Sequence, residues 1–339
     1  MSRIYFFPKS DTKLNPFANP YTFNFEKSLL KKHTIVNRST NKNGILEFFK
    51  YLFSSDIFLF NWIENTTRYR NAKIKVIIFF LFLLLAKILK KKIVWILHNK
   101  RPHDFKINHL TNFMYWLLMK YSDLIITHSL SGIDFAKSNY SKYSIKVKYL
   151  IHPVQEIIPA IADLQKKYDI LIWGDIHPYK GIVEFLKYLK DSNKSEIFKI
   201  LIVGKCADDE YKKNLNQYLS EYIIHLDDSY ELGDISRLAN QASYILFTYK
   251  SESVLSSGSL MDSIRMGSNI IGPNIGAFKD ISSYGFIRTY NNYDEIIKIL
   301  RDKKYDMKSN HLKIQNFCFE NNWDTFIGKF NKELNRICQ

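Results

Sequence analysis

The chain has 339 residues, 46% of them hydrophobic and 24% charged, which is material for packed cores in about two domains at roughly 100–200 residues each. Its 12 glycines and 8 prolines exclude collagen-like and low-complexity classes, and its three cysteines, Cys206, Cys318 and Cys338, are too dispersed for a disulfide framework or a zinc ribbon, which fits a reducing cytoplasm. The net charge of +16 is unevenly held: residues 1–150 carry 25 Lys and Arg against 8 Asp and Glu, whereas residues 151–339 carry 24 against 25. An excess of +17 on the first half implies a polyanionic partner (nucleic acid, an anionic membrane surface or a phosphate-bearing substrate) or simply a soluble lysine-rich face.

The opening residues MSRIYFF lack the apolar run and small-residue cleavage site of a secretory signal, so the mature chain is expected to start there. Short apolar runs bounded by polar residues then predict buried parallel strands at Arg3–Phe7, Thr34–Asn37, Asp56–Phe60, Ile93–Leu97, Leu124–Thr127 and Val147–Leu150. Helical spacing lies between them at Ile45–Phe53, Ile74–Leu89 and Asn112–Tyr121. Within the second of these, Val76–Ala86 is an unbroken apolar run with lysines at both ends, too short for the roughly 20 residues of a membrane span. It suits a core helix against a sheet, or an interfacial helix inserting Phe79, Phe80 and Phe82.

The stretch His152–Ala160 reads as a linker. A second series of strands follows at Asp169–Trp173, Lys199–Val203, Tyr222–Leu226, Tyr244–Thr248 and Asn269–Ile271, with helices near Gly181–Leu189, Tyr211–Ser220, Ile235–Gln241, Ser259–Met266 and Asp294–Leu300. The βα alternation predicts two Rossmann-like, doubly wound parallel-sheet domains facing across a cleft: residues 1–152, joined by a final helix near 322–337 that packs back on them, and residues 153–321. Ligands of such sheets sit beyond the carboxyl ends of the strands.

Several motifs are missing. GxGxxG and GxxxxGK[ST] are absent, as are HExxH and an Asp-x-Asp pair, so dinucleotide oxidoreductase, P-loop and metal-bridged chemistry have no support, and no metal or cofactor is expected. The loop after Trp173 leads through Gly174 to Lys180 at a helix start, where a cation beside free N–H groups would bind phosphate oxygens, unless it is an ordinary surface lysine. Ser256, Ser257, Gly258 and Ser259 put consecutive small residues before a helix, a second place for an anion. Asp262, one turn on, either accepts hydrogen bonds from a ribose diol or completes a capping box with Ser259.

In the first half, His98 and Asn99 end a strand, with His103 and Asp104 in the following loop. The imidazole of His98 there either performs acid–base work, with Asp104 nearby, or is a hydrogen-bonded core histidine. Asn61, Trp62 and Glu64 follow another strand and offer an aromatic face and a carboxylate to a sugar; with Asn99 and His103 they form the candidate acceptor pocket.

This order of a Lys-bearing strand–loop–helix and a small-residue helix start, with an acid five positions before Gly267, resembles the donor domain of GT-B glycosyltransferases of the family 4 type, in a bacterial surface-polysaccharide branch. The resemblance spans nearly the whole chain, including an aromatic at Trp323 before the last helix. It implies metal-independent transfer, of a hexosyl type, from a nucleotide diphosphate-sugar held by the C-terminal domain to an acceptor on the N-terminal domain. Lys180 matches the phosphate-binding lysine and Asp262 the second acid of the family's E-x7-E signature. The first acid should fall at Val254, two residues from Glu252, which is the nearest candidate for the donor sugar. Asp175 replaces the usual basic residue of the phosphate loop.

The reading that follows is a sugar transferase at the cytoplasmic face of the cell membrane, acting on a lipid diphosphate-linked glycan in capsule, exopolysaccharide or O-antigen synthesis. The positive half would meet anionic headgroups and the acceptor diphosphate alike. A nucleic-acid-binding protein would use the same charge and the 52 aromatic residues (5 Trp, 22 Tyr, 25 Phe), but no such motif is present and the aromatics are dispersed, so no nucleic acid is expected. A GT-B nucleotide-sugar epimerase is the other alternative, to be judged from where Glu64, Asp104 and Glu252 fall.

Overall fold

The computed structural model describes residues 1–9, 19–40, 44–101, 109–159, 164–250, 254–302 and 307–339. Two compact units emerge. One holds residues 1–152, Val254, Leu255 and the C-terminal Trp323–Gln339, and the other holds the rest.

In the first unit the order is β1 (Arg3–Phe7), α1 (Pro20–Leu29), β2 (Thr34–Ile35), α2 (Glu47–Lys50), β3 (Ile57–Asn61), α3 (Ala72–Ile88), β4 (Lys92–Leu97), α4 (His109–Tyr121), β5 (Leu124–Thr127), α5 (Leu130–Tyr140) and β6 (Val147–Tyr149). All pairings are parallel, in the order β2-β1-β3-β4-β5-β6. Strand side chains alternate between faces, and here both faces are apolar. Tyr5, Phe58, Phe60, Ile93 and Trp95 enter the core that also contains Phe79, Phe82 and Leu118. Their neighbours Ile4, Phe6, Ile57, Leu59, Val94 and Ile96 pack on the opposite face with Phe25, Phe326 and Phe330.

The second unit follows the same rule: β7 (Tyr168–Trp173), α6 (Ile182–Asp191), β8 (Ile200–Val203), α7 (Asp209–Asn216), β9 (Ile223–Leu226), α8 (Leu232–Asn240), β10 (Ala242–Leu246), α9 (Gly258–Arg265), β11 (Ile270–Pro273), α10 (Gly276–Ile281), β12 (Ile287–Tyr290), α11 (Tyr293–Arg301) and α12 (Met307–Glu320). Its order is β12-β11-β10-β7-β8-β9, all parallel. The chain then returns to the first unit as α13 (Trp323–Cys338), whose Phe326, Ile327, Phe330 and Leu334 fall on one helical stripe and are buried.

Local chemistry explains where the elements depart from expectation. The strand expected at Thr34–Asn37 stops at Ile35 because the Asn37 amide takes over the next rung, accepting from Phe6 N at 3.0 Å and donating to Phe6 O at 2.8 Å. The helix expected over Ile45–Phe53 is only Glu47–Lys50. Four helices were not foreseen: α1, capped by Asn19 with Pro20 at its first position, α5, capped by Ser129, and α10 and α12 of the second unit. The strand expected at Asn269–Ile271 is shifted to Ile270–Pro273, and β12 was also not foreseen. The expected linker is tied down from Val154 N to Asn321 O at 2.9 Å and from Ile158 N to Arg265 O at 2.8 Å. In α3 the insertion of Phe79 and Phe82 into a membrane is ruled out, because both rings are fully buried against the sheet.

Two glycines give opposite expectations. A Cβ on Gly204, whose φ is +142°, would stand 2.4 Å from Gly174 O, so β7 and β8 end in a backbone contact that admits no side chain. Gly328, inside α13, has nothing within 4 Å of a Cβ. Gly204→Ala is therefore expected to cost about 2–4 kcal/mol from overpacking plus backbone strain, and Gly328→Ala to stabilise by about 0.5–1 kcal/mol. Urea unfolding of the two variants checks both signs.

Candidate functional site

In the second unit the strand order reverses between β7 and β10, since β7 continues to β8 and β9 while β10 continues to β11 and β12. Such a switch point at the carboxyl end of an open parallel sheet is where ligands are expected, and here the loops leaving β7 and β10 meet, Lys250 N donating to Tyr179 O at 3.1 Å. Gly174 is the first residue past β7, with φ +91°. The chain then makes a single turn over Pro178–Lys180 and enters α6 through Gly181, where a Cβ would meet Thr248 O at 2.3 Å. The Thr248 hydroxyl donates to Lys180 O at 2.6 Å, fixing this turn to the residue after Phe247.

Lys180 is 5% exposed. Its ammonium donates to Trp173 O at 3.4 Å, its one hydrogen bond among the described residues. Burial lowers its pKa to about 8, and the charge of Asp175 opposes that shift. A point above Gly174, where a Cβ would stand, lies 3.1 Å from Lys180 Nζ and 3.3 Å from Ser259 Oγ. Cation, hydroxyl and glycine thus converge where a side chain on residue 174 would intrude.

The third wall is the start of α9. Ser257, not Ser259, is the N-cap: its Oγ accepts from Leu260 N at 3.4 Å. The capping box of Ser259 with Asp262 is thereby corrected, because Ser259 is two residues past the N-cap and already inside the helix. Ser259 O instead accepts from Ser263 Oγ at 2.7 Å, and Ser263 Oγ accepts from the Trp173 indole at 2.9 Å. Nothing lies within 4 Å of a Cβ on Gly258, and Ser256 Oγ is buried with no hydrogen-bond partner among the described residues. Asp262 lies 3.8 Å from Arg265, and burial raises its pKa to about 6 against the lowering effect of that guanidinium. A cavity of about 470 Å³ opens on the β11 side of β10, lined by Tyr249, Lys250, Asn274 and Asn291 among others.

The first unit holds a separate cluster at strand ends. Asn61 closes β3 and His98 is the first residue past β4. Asn61 Nδ2 donates to Phe7 O at 3.1 Å, so its Oδ1 faces His98 Nε2 at 3.2 Å. A carbonyl oxygen only accepts; Nε2 therefore carries the hydrogen, and Nδ1 keeps a lone pair. Burial holds His98 well below the usual imidazole range, with His128 and His152 adding to the effect. Trp62, at φ 48°, stacks on His98 at 3.9 Å and 13°.

Glu64 is 1% exposed and accepts from the Trp95 indole at 3.1 Å, inside the core; burial raises its pKa to about 7. Asn99 pairs with Val254 in an isolated bridge and accepts the Tyr115 hydroxyl at 3.0 Å. His103, Asp104 and Glu252 lie outside the described residues. Among the described residues no group of three or more His, Cys, Asp or Glu is placed to hold a metal ion.

No family model and no curated protein matches the sequence. Solved structures do. Anabaena Alr3699/HepE in complex with UDP superposes with a TM-score of 0.70 at 11% identity, over 99% of this chain and 100% of that one. The lipopolysaccharide outer core galactosyltransferase WaaB, apo form, gives 0.58 at 14% identity over 86% and 79% of the two chains. The pneumococcal O-GlcNAc transferase GtfA in complex with UDP and GlcNAc gives 0.53 at 13% identity over 76% and 54%. The chain has the GT-B fold.

Reading the sequence did not select Tyr21, His128 or His152, which complete the imidazole cluster. His128 Nδ1 donates to Leu150 O at 2.8 Å, and its Nε2 accepts the Tyr21 hydroxyl at 2.8 Å. Burial, with His152 nearby, lowers the pKa of His128 to about 3. The Tyr21 ring lies 5.0 Å from both His98 and His152. A signal existed, since His128 follows β5 as His98 follows β4. Asn61→Asp puts a carboxylate against the Nε2–H of His98 and is expected to raise the pH at which His98 protonates by about 1–3. An NMR titration of the ring nitrogens checks this.

Proposed function

We propose that the protein is a glycosyltransferase that moves a sugar from a nucleotide diphosphate-sugar to a glycan acceptor. The observation that carries this reading is the convergence of Lys180 Nζ and Ser259 Oγ on Gly174 where the strand order reverses. A buried ammonium with one long hydrogen bond is costly unless an anion completes it, and phosphate oxygens suit a cation beside a helix N-terminus. The UDP bound to HepE and to GtfA supports a nucleotide diphosphate as that anion.

In this reading the second unit is the donor domain. Lys180, Ser256, Ser257, Gly258 and Ser259 neutralise the diphosphate with no metal, and Asp262 accepts from the ribose diol. Glu252 is assigned to the donor sugar by position alone. The first unit, with α13, is the acceptor domain, offering Trp62 as a stacking face and Asn99 and His103 as further acceptor contacts; Asn61 orients His98 instead, and Glu64 is withdrawn from the acceptor pocket because it is buried in the core against Trp95. His98 Nδ1 accepts the acceptor hydroxyl's hydrogen as that oxygen bonds the anomeric carbon; the bond from that carbon to the diphosphate breaks, and the nucleoside diphosphate leaves. Asp104 joins His98 in the catalytic assignment. Transfer is of a hexosyl type to a lipid diphosphate-linked acceptor in surface-polysaccharide assembly, on the cytoplasmic face of the membrane, with no resident cofactor. The +17 on residues 1–150 supports that location.

Calorimetry with a panel of nucleoside diphosphates tests the reading. Lys180→Ala is expected to weaken binding by about 1.5–3 kcal/mol, the worth of a charge-assisted hydrogen bond; unchanged affinity removes Lys180 from the site.

The pH profile of that binding is a further expectation. Below about pH 6 Asp262 gains a proton and loses its strength as an acceptor, and above about pH 8 Lys180 loses the proton that makes it a cation. Affinity should therefore be greatest between these values. Asp262→Asn should flatten the acid limb, and Lys180→Ala the alkaline one.

A further inference from the structure

Helix α3 is apolar on both faces. Val76, Phe79, Phe82, Leu83 and Ala86 are buried, as a helix covering a parallel sheet requires. The other face is bare: Ile74, Ile77, Leu81, Leu85 and Ile88 are 59, 57, 50, 41 and 74% exposed. Their spacings of three, four, four and three residues set them in one stripe along a helix of 17 residues, about 25 Å long. The patch continues onto α4, where Phe113 lies 6.4 Å from Phe80 and stacks on Trp116 at 5.7 Å.

The rim is cationic. Residues 65–122 contain 12 Lys and Arg against one acid, Asp104, and neither α3 nor α4 contains an acid. Lys75 lies over the Tyr69 ring at 5.4 Å and Lys120 over Trp116 at 4.6 Å, the pattern of side chains that keep a charge at an apolar boundary. Lys87 is paired with Asp123 at 2.5 Å, while Lys73 and Lys90 are exposed.

We infer that this face of α3 and α4 docks on an anionic lipid surface, with the Ile and Leu stripe in the acyl boundary and the lysines among the headgroups. No described helix is long and apolar enough to cross a membrane, and the inner face of α3 is committed to the core, so α3 lies in the plane of the interface. A second copy of the chain would bring two cationic rims together, and nucleic acid would use the lysines but leave the stripe in water. The inference deepens the membrane part of the proposed function and rests on it only for what the docked enzyme acts upon.

Flotation of the full chain with vesicles of phosphatidylcholine, alone or mixed with phosphatidylglycerol, tests it without donor or acceptor. The wild type is expected to float with the anionic vesicles, to lose part of that binding between about 0.1 M and 1 M salt as the Debye length shrinks from about 10 to 3 Å, and to keep the rest through the stripe. The combined Ile77→Gln, Leu81→Gln and Leu85→Gln variant should lower partitioning by about 100-fold. Lys73→Gln with Lys90→Gln should remove mainly the salt-sensitive part. An environment-sensitive fluorophore on Leu81→Cys, compared with the same labelling of the unsubstituted chain, should shift to the blue on anionic vesicles. That readout holds even if the triple variant folds poorly.

Equal flotation on neutral lipid, a probe that stays in water while the protein floats, or a wild-type dimer that the triple variant converts to monomer overturns the inference. So does binding to nucleic acid with none to vesicles. Intact vesicle docking without nucleotide binding defeats the transferase reading alone, and nucleotide binding without docking defeats this one alone.

Discussion

Parallel strands buried on both faces are the constraint on which the rest of this molecule depends. Because βα crossovers cover each sheet on either side, the inner strands are mostly apolar, and the polar groups of the candidate site stand at their carboxyl ends. Asn61 closes β3, His98 and His128 stand one residue past β4 and β5, Gly174 one past β7, and Thr248 two past β10. In each sheet the strand order reverses once, between β1 and β3 in the first and between β7 and β10 in the second. Asn61, the last residue of β3, and Lys180, in the turn between β7 and α6, both flank those reversals.

The same desolvation has opposite consequences in the two units because the groups start from different places. A lysine ordinarily titrates near 10.5, so burial to about 8 leaves Lys180 cationic at neutral pH and short of partners. An imidazole starts near 6.5, so burial leaves His98 and His128 neutral. One unit therefore holds a buried positive charge, and the other holds imidazoles with a lone pair. Hydrogen bonding then chooses which lone pair. The Phe7 carbonyl orients the Asn61 amide, and the amide fixes the hydrogen of His98 on Nε2.

The outer face of α3 is the exception to apolar burial. Its sequence is an apolar run without polar interruption, so periodicity carries no phase and cannot say which side meets the sheet. Packing decided that the phenylalanines Phe79 and Phe82 go inward, against Phe48, Phe58 and Phe60. The smaller Ile and Leu side chains were left outside, and the charge around them was already plain in the composition.

Alternating apolar runs and helical spacing determined the βα order, and hence two parallel-sheet units, because the period of burial is written locally in the residues; the expectation of a GT-B fold needed the further likeness carried by Lys180, the small residues before α9 and Asp262. His98 stood out because it ends an apolar run, Lys180 as a cation at a helix start, and Ser259 as part of a small-residue stretch before a helix. Where the strands end exactly was less legible, as Asn37 shows, since a side-chain amide can replace a backbone rung. Only tertiary structure decided that Ser257 rather than Ser259 caps α9, that Glu64 is inside the core, and that Tyr21, His128 and His152 gather around His98. Those facts depend on helix phase and on contacts between residues as far apart as Tyr21 and His128, and no local pattern encodes a distance across the fold.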